Sequence, residues 1–349
     1  MNHILLQQVE MACKKSISYM IKLLPLERIL ETYFQALNRK SFTYFTYQKR
    51  LFSESKSIAS SPSLESQFMK NDIGIILQGP ILHHQDFTYL TILRYLQYYP
   101  GLQIVLATWK SENIKKFTEL ALIFPNLHIL QLDKPSLSGW SNINYQITST
   151  KAGLSKIKEM GLNYVIKSRT DQCLFDPFAL DKLRLAYESY DNVNDISRIC
   201  FLSLNSFLFR LYGPSDMFQF GKTDQIIKYW DVPNDAREPK DPGYKISLRT
   251  MSKHEFGEFY MCINYLRSLG FKLDFTMKQN LTFFRDLFII LDASHVDLIW
   301  NKYTYNNTRW VAPTFPHLAQ EWNYALWSGL NYNLDYLANY DSFLESPMN

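Results

Sequence analysis

Between residues 73 and 172, short apolar runs alternate with stretches of helical period, and this alternation leaves few architectures open. Ile73-Gly74-Ile75-Ile76-Leu77, stopped by Gln78-Gly79-Pro80, reads as a strand buried on both faces and ended by a turn. Residues 87–99 repeat apolar side chains at helical spacing up to the breaker Pro100-Gly101, and residues 103–107 form a second run. Ser111-Glu112 predicts a helix start ahead of Ile114, Phe117, Leu120 and Leu122. A third run covers 127–132, and after a polar loop a long helix is predicted over 143–160 with Gly161 as its left-handed stop. The fourth run, Tyr164-Val165-Ile166, passes into Lys167-Ser168-Arg169-Thr170-Asp171-Gln172. Strands joined through helices imply right-handed crossovers, so the fold class expected is α/β: a Rossmann-type, mostly parallel sheet flanked by helices.

That last segment sets one carboxylate and two cations just past the carboxyl end of a strand, the edge of an open α/β sheet at which ligands sit. Read in isolation its default reading is a surface ion pair. The long helix has two faces. Ile143, Ile147, Leu154 and Ile157 make the stripe that should pack on the sheet, whereas Asn142, Gln146, Ser149 and Gly153 make a narrow polar stripe of small and hydrogen-bonding residues. A solvated helix face accounts for such a stripe, although solvated faces usually carry more Lys and Glu.

Five segments, Ile76-Leu77-Gln78-Gly79-Pro80, Thr108-Trp109-Lys110-Ser111-Glu112-Asn113, Ser141-Asn142-Ile143-Asn144-Tyr145-Gln146, Ser168-Arg169-Thr170-Asp171-Gln172 and Ser215-Asp216-Met217-Phe218-Gln219-Phe220-Gly221, occur in this order. Together they resemble the WavE-type lipopolysaccharide-synthesis proteins, over about residues 71–310. The resemblance implies a GT-A-like fold and a nucleotide-sugar donor. It also implies a glycosyltransferase acting on a lipopolysaccharide or capsular polysaccharide acceptor. The division it suggests is a nucleotide-binding half at 71–172 and an acceptor-side half with a C-terminal extension at 173–349. In GT-A enzymes the strand closing the nucleotide half ends in Asp-x-Asp, where a carboxylate holds Mg²⁺ or Mn²⁺ against the donor diphosphate. The matching tripeptide here is Arg169-Thr170-Asp171, so a guanidinium replaces the first carboxylate and Asp171 is left as the metal ligand. Arg169 would meet the diphosphate with its planar fork and Lys167 would add a point charge. Gln78, Gly79, Pro80, Asn142 and Gln146 would line the nucleotide.

Tyr212-Gly213-Pro214-Ser215-Asp216 follows a strand-like run at 199–204 and leads into another at 217–221. Asp216 is thereby placed to face the same cleft, or to cap its turn. Lys253-His254-Glu255-Phe256-Gly257-Glu258 predicts the start of a helix, where acids commonly serve the helix terminus. The resemblance favours Glu258 over Glu255, because an acid separated by one residue from a Tyr at the helix start recurs in the family. An inverting transfer needs a base for the acceptor hydroxyl, and Asp216 and Glu258 are the two candidates. His83-His84 near the nucleotide and His317 as an extra metal ligand are weaker expectations. A sugar-phosphate or polyol-phosphate transferase would use the same diphosphate clamp. A non-catalytic nucleotide-sugar-binding scaffold would tolerate the missing carboxylate.

Cys13, Cys173, Cys200 and Cys262 show neither metal-ligand nor disulfide spacing and fit a reduced cytoplasm. No Gly-rich dinucleotide fingerprint or phosphate-loop Lys motif occurs, which argues against an NAD enzyme or a P-loop kinase. Residues 1–50 hold eight basic against three acidic side chains, +5, whereas the whole chain is +4. The remainder is therefore about neutral, and no nucleic-acid partner is expected. Residues 1–70 are expected to be a helical, basic N-terminal extension with a Ser-rich linker, no run in it long enough to span a membrane. It either packs on the catalytic domain or contacts the anionic inner face of the inner membrane peripherally. Removing residues 1–50 is expected to weaken sedimentation with anionic vesicles, most at low salt, while leaving donor binding intact; equal sedimentation of full-length and truncated protein would leave packing as the segment's role.

Overall fold

The apolar runs become strands of one sheet. In the computed structural model, which describes residues 72–190, 192–193, 195–237, 246–301 and 320–345, β1 (Ile73–Gln78), β2 (Gln103–Trp109), β3 (Leu127–Leu132) and β4 (Tyr164–Arg169) run parallel. Helices α1 (Phe87–Tyr98), α2 (Lys115–Ile123) and α3 (Ile143–Glu159) connect them. After β5 (Gln172–Leu174) and α4 (Ala179–Glu188) come β6 (Ile199–Leu202), β7 (Gln219–Lys222) and α5 (Thr223–Trp230). The chain continues through α6 (Leu248–Lys253), α7 (Glu258–Ser268), α8 (Met277–Leu287), β8 (Phe288–Leu291) and β9 (Leu298–Trp300), then α9 (Tyr324–Ser328) and α10 (Leu330–Ala338).

The sheet has seven strands in the order β3-β2-β1-β4-β7-β6-β8. Only β7 is antiparallel to its neighbours, so the sheet is mostly parallel, as expected. The sheet is also continuous across residue 172, where the sequence suggested a division between halves. A separate ribbon of β5 and β9 sets Gln172 opposite Trp300. By contacts the chain divides into Met1–Ala59 and Ser60–Asn349, and every described residue belongs to the second unit. The expectations for residues 1–70, Cys13 and His317 lie outside the described residues. Among the described residues, no helix is long and apolar enough to cross a membrane.

Two local expectations change. Ser111-Glu112 does not begin α2; Glu112 closes a turn on Trp109 (2.9 Å), and the helix starts at Lys115, whose N–H is taken by Asn113 Oδ1 (3.1 Å). The polar stripe of α3 is solvated only at its start, where Asn142 is exposed; Ser149 and Gly153 further along are buried. Ser149 donates to Gln78 Oε1 (2.9 Å), and Gly153 sits against Ile76 of β1, both contacts made on the sheet. The stripe is small because the helix lies close. The apolar stripe of Ile143, Ile147, Leu154 and Ile157 is buried as its spacing predicts.

A Cβ at Gly153 would stand 2.6 Å from Ile76 Cγ2. Alanine gains about 0.5–1 kcal/mol over glycine inside a helix, whereas overpacking a filled core costs about 1–3 kcal/mol. Gly153→Ala is therefore expected to lower stability by about 1 kcal/mol in urea unfolding, and Gly153→Val by more; an alanine variant more stable than wild type would show that the approach is looser than the contact implies.

Candidate functional site

The loop after β1 is stitched to the end of β4 by one threonine. Thr170 donates its N–H to Gln78 O (3.2 Å) and its hydroxyl to Pro80 O (2.5 Å), and its carbonyl accepts from Thr88 Oγ1 (2.8 Å). Gly79 between them has φ +115, a conformation that a side chain would strain. Pro80 is exposed, and beyond it opens a cavity of about 220 Å³ bordered by Ile81, His83, Tyr89, Asn113 and Lys116. A larger cavity, about 760 Å³, lies at the opposite edge of the sheet around Asn163, Arg184 and Lys222, away from the strand ends where the charged groups gather. The chemistry-bearing side chains lie at the carboxyl edge.

There, Arg169 and Asp171 form a bidentate pair, Nε to Oδ1 and Nη2 to Oδ2, both 2.8 Å. Trp300, brought alongside by the β5–β9 ribbon, adds its indole N–H to Asp171 Oδ2 (3.1 Å). Such a charge-assisted fork is strong and directional. Lys167, two residues earlier on the same face of β4, is fully buried. Its ammonium donates to the main-chain carbonyl of Asp216 and lies over the ring of Trp230, 4.8 Å from its centroid. Burial is the main cause that pushes its pKa down to about 7, with Asp216 and Asp171 opposing and Arg169 reinforcing the shift.

The turn carrying Asp216 is held from several sides. Tyr212, at φ 56, gives its N–H to Asn280 Oδ1 (2.7 Å), and Ser215 N–H bonds Ser206 Oγ (3.0 Å). Gly213 lies so close to Phe259 that a Cβ there would meet its ring at 2.7 Å. The turn therefore abuts the first residues of α7, and Arg210 reaches across to Glu258 (Nη1 to Oε1, 2.9 Å). Burial raises the Glu258 pKa, Arg210 opposes it, and the neighbouring Asp216 raises it further. The two candidate acids thus share one cluster.

The start of α3 meets the start of α7. Ser141 and Asn142 are exposed, both with left-handed backbones (φ 52 and 61), and Ser141 lies against Gly257, itself at φ 50. Trp140 stacks on Phe256 at 4.1 Å. Asn144 exchanges hydrogen bonds with the main chain of Asp235 (2.8 and 2.6 Å), whose buried carboxylate is forked by Arg237 (2.7 and 2.9 Å). Against its burial, which would raise it, Arg237 and the Trp140 N–H hold the Asp235 pKa below the usual carboxylate range. Backbone strain of this kind gathers where a site is built.

The sequence profile described as WavE lipopolysaccharide synthesis matches residues 73–284, more than half of the chain. The chain belongs to this family. No curated protein matches it in sequence. Among solved structures, a cytidylyltransferase from Leptospira borgpetersenii is similar at 13% identity and TM-score 0.35, covering 77% of this chain and 97% of that one. A putative nucleotide-diphospho-sugar transferase from Desulfovibrio desulfuricans has 10% identity and TM-score 0.35, with 77% and 99% covered. A 4-diphosphocytidyl-2C-methyl-D-erythritol synthase has 12% identity and TM-score 0.30, covering 47% and 81%. WavE membership and a mostly parallel sheet with one reversed strand agree with the α/β class expected from the sequence.

Within this WavE protein, Gly79, Pro80, Asn142, Arg169, Asp171, Asp216 and Glu258 stand at the loops and strand ends of that edge. Gln146 is half-buried, and its Oε1 has no hydrogen-bond partner among the described residues. Two expected donor contacts are redirected. Gln78 is buried, its amide oxygen taken by Ser149, and the Lys167 ammonium is turned into the core toward Asp216 rather than outward. Glu255 is not in a first helical turn; it precedes α7 at φ 56 and pairs with Arg267 (2.6 Å). Sequence reasoning missed Arg210, although a lone cation inside Phe207-Leu208-Phe209-Arg210-Leu211 was a signal. It missed Trp300, for which only long-range pairing supplies a reason.

Among the described residues, no three Asp, Glu, His or Cys side chains gather as a metal cage. Asp171, a hard oxygen donor at the strand end, suits Mg²⁺ or Mn²⁺ as a single protein ligand when phosphates supply the others. The pH dependence of Lys167 is testable without any ligand. Its pKa of about 7 lies below the ~10.4 of an unfolded lysine, so between these values the unfolded chain binds more protons and stability rises with pH. Lys167→Met removes that slope: the midpoint difference, variant minus wild type, should be most favourable to the variant at or below pH 7 and decline toward pH 10. A difference that does not change with pH would mean that Lys167 is not desolvated.

Proposed function

We propose that this WavE protein is a glycosyltransferase that moves a sugar from a nucleotide-sugar donor to a lipopolysaccharide or capsular polysaccharide acceptor. The observation that carries the reading is a connected set of charges at one sheet edge. Lys167 bonds the Asp216 carbonyl, Arg169 two residues along the same strand forks Asp171, and Arg210 beside the Asp216 turn pairs with Glu258. Arg169, on turning from Asp171, would grip the donor diphosphate and stabilise the charge that grows on it as the sugar departs. The exposed turn at Ser141-Asn142 and the Gly79-Pro80 loop would border the nucleotide. Asp216 or Glu258 would take the proton of the acceptor hydroxyl. Asp171 would hold Mg²⁺ or Mn²⁺, an ion that when bound neutralises diphosphate charge. Under the same reading the protein works in the cytoplasm, in peripheral contact with the inner face of the inner membrane.

The test is calorimetric binding of nucleoside diphosphates with Mn²⁺ and with EDTA, alongside release of nucleoside diphosphate from nucleotide sugars. Asp171→Asn is expected to abolish transfer and the metal-dependent part of binding, since a neutral amide is a poor partner for a hard dication. Arg169→Lys should weaken binding in both buffers, because a point charge cannot replace a bidentate fork. Wild-type binding undiminished in EDTA would leave the clamping to Arg169 alone; unchanged activity of Asp171→Asn would remove the site.

A further inference from the structure

We propose that Glu258 is the base for the acceptor hydroxyl, that Arg210 is its positioning residue, and that Asp216 is a charged neighbour of the base rather than the proton acceptor. The inference rests on the transfer reading above and goes beyond it by dividing the labour of the two acids. Accessibility separates them first. Glu258 is half-buried, whereas Asp216 is buried and lies in a turn buried on both sides. A base must touch its substrate.

Fixation separates them next. Arg210 engages one oxygen of Glu258 at 2.9 Å, while the carboxylate of Asp216 has no hydrogen bond or ion pair among the described residues. Arg210 is itself restrained, its guanidinium lying 4.1 Å from the centroid of the Phe207 ring, and its loop is bound to Asn280 and packed on Phe259. A carboxylate held in this way loses little freedom when an acceptor arrives.

The groups acting on Glu258 are few. Arg210 and Asp216 face it from the turn, Tyr229 from α5, and Cys262 lies one turn further along α7. Burial raises the pKa of both Tyr229 and Cys262 well above ordinary values, so both stay neutral near pH 7. Lys167 is attached behind Asp216, and Glu255 is occupied by Arg267. The balance on Glu258 is thus struck by burial, then Arg210, then Asp216. In the transfer step the acceptor O–H proton passes to Glu258, and the acceptor oxygen bonds the anomeric carbon. The bond from that carbon to the phosphate oxygen breaks, its electron pair leaving with the nucleoside diphosphate.

The experiment pairs carbon-13 NMR titration of carboxyl-labelled glutamate with the pH–rate profile for hydrolysis of nucleoside-diphosphate sugars, water serving as acceptor. Arg210→Gln should raise the Glu258 midpoint by about one pH unit or more, since an adjacent opposite charge lowers a carboxyl by that much. Arg210→Lys should restore most of it, and Asp216→Asn should lower it. The acid limb of the rate profile should move in step. Glu258→Gln should lose about 10²-fold or more in turnover, and Asp216→Asn distinctly less. Glu258→Asp, which keeps the charge beside Arg210 but shortens the reach, guards against misfolding: folded by circular dichroism, it should still lose turnover. The inference is overturned if Asp216→Asn is as damaging as Glu258→Gln, or if Arg210→Gln leaves both midpoint and limb in place. Wild-type protein that hydrolyses no nucleoside-diphosphate sugar overturns the transfer reading, and the base with it.

Discussion

One reversed strand organises the carboxyl edge of this sheet. Because β7 runs antiparallel between β4 and β6, its entry lies where β4 ends, and the residues just before it, Ser215 to Phe218, come beside Lys167 and Arg169. Register sets Lys167 opposite Gln219, and the buried ammonium closes the junction by bonding the Asp216 carbonyl. A lysine in that position is costly to desolvate. What it secures is the place of an acidic turn against a strand that also carries the Arg169–Asp171 fork. With β7 parallel instead, Asp216 would enter from the opposite edge and the charges would never meet.

From this junction the restraint spreads outward through contacts of a different kind. Gly213 against Phe259 fixes the turn to α7, and Gly257 against Ser141 fixes α7 to the start of α3. Gly153 against Ile76 fixes α3 to β1, whose following loop Thr170 ties back to the end of β4. The circuit is closed by close approaches at glycine and by hydrogen bonds, so each element is located by two neighbours. Interiors packed to this degree pass small displacements on rather than absorbing them.

Much of this was legible in the chain. The four parallel strands and their helices followed from apolar runs and period, since a strand buried on both faces has little choice of composition. Glu258 was preferred to Glu255 only through the family resemblance, whereas Asp216, Arg169 and Asp171 could be picked out by residue type at loop and strand ends. The direction of β7 could not, because a four-residue strand reads the same either way. Nor could the inward turn of Lys167 or the arrival of Trp300, both products of pairings made far apart in sequence. The stripe of α3 looked ambiguous for a physical reason: small polar residues suit water and close backbone approach alike, and only the distance to Ile76 separates them.

The fork between Arg169 and Asp171 makes the strand end self-neutralised. An anion that draws the guanidinium away exposes a half-buried carboxylate, so the field it meets changes little in net charge and its gain is small. A ligand that brings its own positive partner for Asp171 escapes that penalty, whereas a bare phosphate bears it in full. In the proposed site the closed pair would act as a threshold, favouring visitors that carry both signs of charge over the simple anions that any basic cleft would collect.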